Sequence, residues 1–167
     1  MLEQTVPDHP LWTFSIDLYQ RHGVAEACLA LQDRCGADVN LLLTVTWLAS
    51  QQRLVNRQLL VELERLSIDW RRYCLQPLRE VRRHLKLQPA SESVYQQCKA
   101  LELAAERWQQ DRLYSCCDDN LASLPIAKGF ASYQKNLQLY VQSLPEQTAE
   151  QTALSEALIA RLSVHLG

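Results

Sequence analysis

The chain has 167 residues, a formal net charge of −2 and a pI of about 6.1. One domain is expected at this length, large enough to bury about 70% of its unfolded surface without covalent or metal staples. With 47% apolar residues, four glycines and six prolines, the composition excludes disorder and a turn-rich β-protein.

In chain order, a first helix is expected from Asp8 or His9 to about Arg21, with Pro10 in its first turn. Trp12, Ile16 and Tyr19 form one stripe on it, and Leu11, Phe14 and Leu18 another. Gly23 stops it. Val24, Ala27, Cys28, Leu31 and Cys35 then fall on one face of a second helix. Gly36 supplies a left-handed residue past its end, and Asp38 can cap the helix that follows. That third helix, about Val39 to Gln51, opens with the densest apolar run of the chain, Val39 to Ala49. Eleven residues fall short of the roughly 20 that a membrane span needs, so the run reads as a helix buried on nearly all sides. It is expected at the centre, with the first, second, fourth and sixth helices around it.

From Gln52 a stripe of Val55, Leu59, Leu63, Leu66, Trp70 and Tyr73 predicts a solvent-facing helix, read as able to continue from the third through Gln51 to Leu54. Pro77 suits the start of a fifth helix, to about Leu87, that sets Leu78, Val81 and Leu85 inward and Arg79, Arg82, Arg83 and Lys86 outward. Ser91 or Ser93 can cap a long sixth helix to about Ser115, with Val94, Cys98, Leu101, Ala105 and Trp108 along one side. The sequence Cys116 to Asn120 breaks the period, and Pro125 marks a connection. A seventh helix over about Ile126 to Leu144 aligns Phe130, Leu137, Tyr140, Val141 and Leu144. Thr148 with Gln151 makes a capping box for an eighth helix, about 149–166. The expectation is one all-α domain of seven or eight helices, with its core over about 8–144.

The run Leu31-Gln32-Asp33, Gly36, Asp38-Val39-Asn40-Leu41-Leu42 and Trp47-Leu48, with Pro77-Leu78-Arg79 and Val81-Arg82-Arg83, carries a resemblance. It resembles a bacterial family of helical proteins about 160 residues long, a domain of unknown function, over roughly residues 10–145. The resemblance implies a compact helical domain and transfers no catalytic residue.

Two groups of residues are candidates for function. Gln32, Asp33, Asp38 and Asn40 form a polar knot ahead of the apolar run. Asp33 sits in the last turn of its helix, where the dipole disfavours a negative charge by about 0.3 to 1 kcal/mol, so it asks for a donor. One reading makes it a clamp onto the helix that follows or onto an arginine of the middle segment. The other makes the knot a site for a small ligand or magnesium, because oxygen-only ligands suit hard cations. The second group is the stripe Arg79, Arg82, Arg83 and Lys86, with Arg71 and Arg72 nearby, which suits carboxylate or phosphate. Residues 51–90 hold nine basic and four acidic side chains between two acidic segments. Such a layout marks an anion-binding face, or a fold whose middle and ends neutralise each other.

The favoured expectation is a non-catalytic interaction or regulatory module that docks an acidic protein partner on these arginines. The alternative is a ligand- or magnesium-binding protein at the knot, enzymatic or not. A ligand site predicts a deep cleft at Gln32, Asp33, Asp38 and Asn40, whereas docking predicts an exposed patch around Arg79, Arg82 and Arg83. The mildly acidic balance and the absence of a recognisable motif argue against nucleic acid. Homo-oligomerisation through a longer helix stays open.

No catalytic residue, metal ligand or cofactor is assigned. The six cysteines contain no C-x-x-C and none lies three or four residues from a histidine, so they read as buried reduced thiols. A redox role for Cys116-Cys117 is the alternative. There is no G-x-S-x-G, P-loop or G-x-G-x-x-G. An all-α isoprenoid synthase would need aspartate-rich helices, and neither D-D-x-x-D nor D-x-x-x-D occurs. His9, His22, His84 and His165 read as surface residues. Met1 to Pro10 carries two acids and no apolar stretch, so no signal peptide is expected and the cytoplasm is the expected compartment.

Overall fold

The computed structural model describes residues 7–88, 91–145 and 148–166. Its α-helices are α1 (Pro10–Tyr19), α2 (Val24–Cys35), α3 (Val39–Ser50), α4 (Arg57–Trp70), α5 (Gln76–Lys86), α6 (Glu92–Asn120), α7 (Phe130–Ser143) and α8 (Ala149–Leu166). The expected all-α architecture holds, with no strand among the described residues beyond an isolated bridge between Arg53 and Ile126. Both expected helix counts have a basis, because a π-helical turn over Arg71–Leu75 joins α4 to α5 without leaving helical backbone. Pro77 sits in that rod's first α-turn after the bulge, where a missing N–H is tolerated.

The corner between α2 and α3 follows from two residues. Gly36 has φ 69 and ψ 20, and its N–H returns to the carbonyl of Gln32 while Ala37 N–H bonds the carbonyl of Leu31. Asp38 then caps α3 through Oδ1, which accepts from Asn40 N–H at 2.8 Å and Leu41 N–H at 3.4 Å. Every residue from Val39 to Ala49 is buried. The hydroxyls of Thr44 and Thr46 are satisfied within the helix, donating to the carbonyls of Asn40 and Leu42 at 2.7 Å each.

Around α3, α7 packs most extensively, with α6, α1 and α2 completing the ring. α7 therefore holds the place expected for α4, whose Leu59, Leu60 and Leu63 join the core while the helix lies chiefly against α6. α8 covers α2 and α7.

The expected continuity of α3 into α4 is also corrected. α3 stops at Ser50, Gln52 takes a left-handed φ of 57, and Asn56 opens α4 by accepting from Leu59 N–H at 2.8 Å. What holds the loop is remote in sequence: Asn136 of α7 donates to the carbonyls of Val45 and Arg53 and accepts from Val55 N–H. Likewise α6 runs past Ser115 to Asn120, because Cys117 is packed inside the core, and α7 begins only at Phe130. Val94, Leu101 and Trp108, expected on the buried side of α6, are exposed. Its inward line is Cys98, Glu102, Ala105, Gln109, Leu113 and Cys117, of which only Ala105 and Leu113 are neither polar nor thiol.

Candidate functional site

Asp38 is 2% exposed and binds far more than its own helix. Its N–H donates to the Tyr140 hydroxyl at 2.7 Å, its Oδ2 accepts from Gln109 Nε2 at 2.8 Å, and the Arg71 guanidinium lies 3.7 Å away. From there a row of buried amides leads outward. Gln109 Oε1 accepts from Asn40 Nδ2 at 2.7 Å, and Asn40 Oδ1 accepts from Gln110 Nε2 at 2.9 Å. Burial at this level requires such pairing, since an unmet polar group costs about 1–3 kcal/mol.

The row ends in the wall of a cleft of about 510 Å³, a size suited to a small organic molecule. Five helices supply it at helical spacing: Trp12, Ser15, Ile16 and Tyr19 of α1; Gln32 and Asp33 of α2; Asn40 and Leu43 of α3; Arg79, Arg82 and Arg83 of α5; and Glu102, Glu106 and Gln110 of α6. Three buried side-chain oxygens have no hydrogen-bond partner among the described residues and belong to this lining: Ser15 Oγ, Gln32 Oε1 and Gln110 Oε1. Ser15 is 3% and Gln110 2% exposed.

The arginines meet acids of α6 across the cleft. Arg82 is paired with Glu102 through Nε and, at 3.3 Å, through Nη2. Arg79 is divided, with Nε 3.5 Å from Glu102 and Nη2 3.2 Å from Glu106. Burial pushes the Glu106 carboxyl above the usual range; Arg79 opposes this, and Glu102 and Asp38 add to it. Burial also pushes the Tyr19 hydroxyl up to about 12, with smaller contributions from Cys28 and Glu106, so it stays protonated.

The structure divides the expected site residues into three environments. Gln32, Asp33 and Asn40 line the cleft, while Asp38 lies behind it. Asp33 is solvent-exposed, 3.5 Å from Arg83, itself exposed at the rim. It is thus tied to the middle segment, and the N–H groups opening α3 go to Asp38. Of the arginine stripe, Arg79 and Arg82 are turned inward, Arg71 is half-buried beside Asp38, and Arg72, Arg83 and Lys86 are exposed. Val81, expected inward, is 51% exposed in place of Arg79. The phase of α5 is set by Glu102 and Glu106, because a buried and a part-buried carboxylate demand partners more strongly than one valine demands cover.

Sequence reasoning missed Ser15, Tyr19, Glu102, Glu106, Gln109, Gln110 and Tyr140 as site residues. One signal was available: Glu102 and Gln109 sit at helical spacing with Cys98 and Ala105, so the buried face of α6 carries polar groups that must find partners. His9 is corrected too. It caps α1 through Nδ1, which accepts from Trp12 N–H at 3.1 Å, stacks on Tyr114 at 4.6 Å, and holds Nε2 2.9 Å from Asp111. His165 lies outside the described side chains. The six cysteines are all free, and burial raises the thiols of Cys28, Cys35, Cys116 and Cys117.

A second cleft, about 690 Å³, opens between α2, α4, α7 and α8. It is larger, but its charged groups are paired: Arg34 with Glu150 at 3.4 Å, Arg65 with Glu62, and Glu64 with the Ser143 hydroxyl at 2.7 Å. No unpartnered buried oxygen is found there among the described residues.

The chain belongs to the family described as "Protein of unknown function (DUF2390)", whose family model matches residues 10–113. That is shorter than the expected span to about residue 145, and it contains every residue lining the first cleft, from Trp12 to Gln110. No curated protein and no solved structure matches the chain.

Proposed function

We propose, for this member of a family whose description names no activity, that the α1–α6 cleft binds a small, partly apolar organic molecule. The observation that carries the reading is the gathering of Ser15 Oγ, Gln32 Oε1 and Gln110 Oε1, all buried and unpartnered among the described residues, in one cleft lining. Groups of this kind weaken the fold unless something meets them, at about 1–3 kcal/mol each, and a ligand that supplies partners recovers that free energy on binding. Trp12, Ile16, Tyr19, Leu43 and Leu103 give the same cleft an apolar wall.

A thermal-shift screen of a metabolite-sized library against the full chain and Gln110→Leu tests it. A ligand at a hundred times its Kd stabilises by about 2.7 kcal/mol, a clear rise in Tm. The rise is expected in the native chain and is expected to be much smaller in Gln110→Leu. No stabilising compound, or equal shifts in both proteins, contradicts the reading.

A second reading is favoured by the surface of α5, which has no fully buried residue and presents Arg83 and Lys86, with Arg72 just ahead of it. It docks an acidic protein partner there. Charge reversal has to be confined to Arg72, Arg83 and Lys86, since reversing Arg79 or Arg82 strands the buried Glu102. Recovery of the same proteins by native and reversed chains from lysate counts against docking.

A further inference from the structure

We infer that the ligand of this cleft enters with a hydrogen-bond-donating cation of the primary ammonium class, carried on an apolar body. The inference rests on the cleft being a ligand site, and it deepens that reading.

The amide row dictates its own direction. A carboxylate accepts and does not donate, so Gln109 must turn Nε2 toward Asp38 Oδ2. Its Oε1 then faces Asn40 Nδ2, and Asn40 Oδ1 faces Gln110 Nε2. Flipping any one amide sets oxygen against oxygen, and flipping Gln109 or Asn40 also sets NH2 against NH2. Gln110 Oε1 is therefore left at the end of the row as an acceptor, fixed by an aspartate that does not itself line the cleft. Gln32 presents an amide oxygen of the same character, and the Ser15 hydroxyl can accept as well.

The charges point the same way. Glu102, Glu106 and Gln110 follow at i, i+4 and i+8 on one ridge of α6, three acceptors in a row facing the cleft. Arg82 gives both of its contacts to Glu102, and Arg79 reaches Glu106 with one nitrogen at 3.2 Å. Glu106 thus has a single cationic contact, and burial, the main cause, raises its pKa against Arg79. An ammonium beside Glu106 and Gln110 completes both. An anion has a less favourable place, because Arg79 and Arg82 already give Nε and Nη2 to Glu102 and Glu106, so an anion against their remaining nitrogens lies beside those carboxylates, and Arg83 stands at the solvated rim with Asp33.

The test uses the 15N-labelled full chain and three matched probes: phenethylamine, its neutral alcohol analogue phenethyl alcohol, and phenylacetate. Phenethylamine is expected to move the side-chain amide resonances of Gln32 and Gln110 at millimolar concentration, with the alcohol weaker and phenylacetate silent there. Glu106→Gln is expected to weaken phenethylamine about tenfold, the loss of one charge-assisted contact. On the native chain, its affinity is expected to fall as pH drops from about 7.5 to 5 while that of the alcohol stays constant, because a carboxyl with a raised pKa loses its charge in that direction. This readout stands if the variant does not fold. Equal or tighter binding of phenylacetate or the alcohol at these amides overturns the ammonium class and leaves the cleft reading standing. Phenethylamine that leaves Gln32 and Gln110 unmoved also overturns the class, whereas the library screen decides the cleft separately.

Discussion

Two aspartates five positions apart show how burial sets the worth of a residue. Asp38 caps α3 and holds Gln109 out of water, and lies against the half-buried Arg71. Asp38→Ala loses an N-cap worth about 0.5–2 kcal/mol and strands an amide at about 1–3 kcal/mol, so a loss of about 2–4 kcal/mol is expected in urea unfolding. Asp33→Ala breaks an exposed 3.5 Å pair with Arg83 and an exposed 3.4 Å contact from Gln32 Nε2, and is expected to cost less than about 1 kcal/mol. The knot was legible in sequence as a corner with caps, but its two carboxylates look alike there. Which one turns inward depends on Gln109 and Tyr140, about 70 and 100 positions away. His9 gives a further expectation. Burial, the largest influence, lowers its pKa below the ordinary 6.5 despite Asp111. The unfolded chain therefore binds the proton first as pH falls, so the stability is full above about 6.5 and is lost on descending through the lower folded value. Asn caps helices without titrating; between about pH 7.5 and 5 the urea midpoint of His9→Asn is expected to fall less than that of the native chain. Equal slopes contradict this account of His9.

Elements with a strong apolar period were the legible ones: α1, α2, α3 and the eighth helix start and stop close to where their caps and glycines place them. Boundaries made by distant partners were not. The break between α3 and α4 depends on Asn136, whose side chain makes three hydrogen bonds to backbone of α3 and of the loop that follows it. Asn136→Leu leaves those groups without partners and is expected to cost about 2–4 kcal/mol, measured by chemical denaturation. A loss under about 0.5 kcal/mol would mean that the loop holds itself. Helix phase was the other weakness. Hydrophobic spacing rotated α5 to bury Val81 and α6 to bury Leu101, and the structure rotates both so that Arg79, Arg82, Glu102, Gln109 and Gln110 meet inside. A polar interior shared by two helices gives each of them the wrong apolar moment when read alone.

Across the molecule, the basic middle of the chain is spread over the acidic segments on either side of it. Arg71 meets Asp38 and Arg83 meets Asp33 toward the N-terminus, and Arg79 and Arg82 meet Glu102 and Glu106 toward the C-terminus. Those pairs close the cleft against α6, and α3 backs it with a helix whose apolar residues fix its position. Among the described residues, no helix is long and apolar enough to cross a membrane, and no three of His, Cys, Asp and Glu are grouped to hold a metal ion. What stands out instead is the row of amides that starts at buried Asp38 and ends at Gln110 in the lining of the cleft. Mapping fragment-induced shifts in the 15N spectrum of the full chain tests this most directly. Shifts gathered on Ser15, Gln32, Glu106 and Gln110, and lost in Gln110→Leu, are the predicted result. Shifts confined to the second cleft or to Arg72, Arg83 and Lys86 would contradict it.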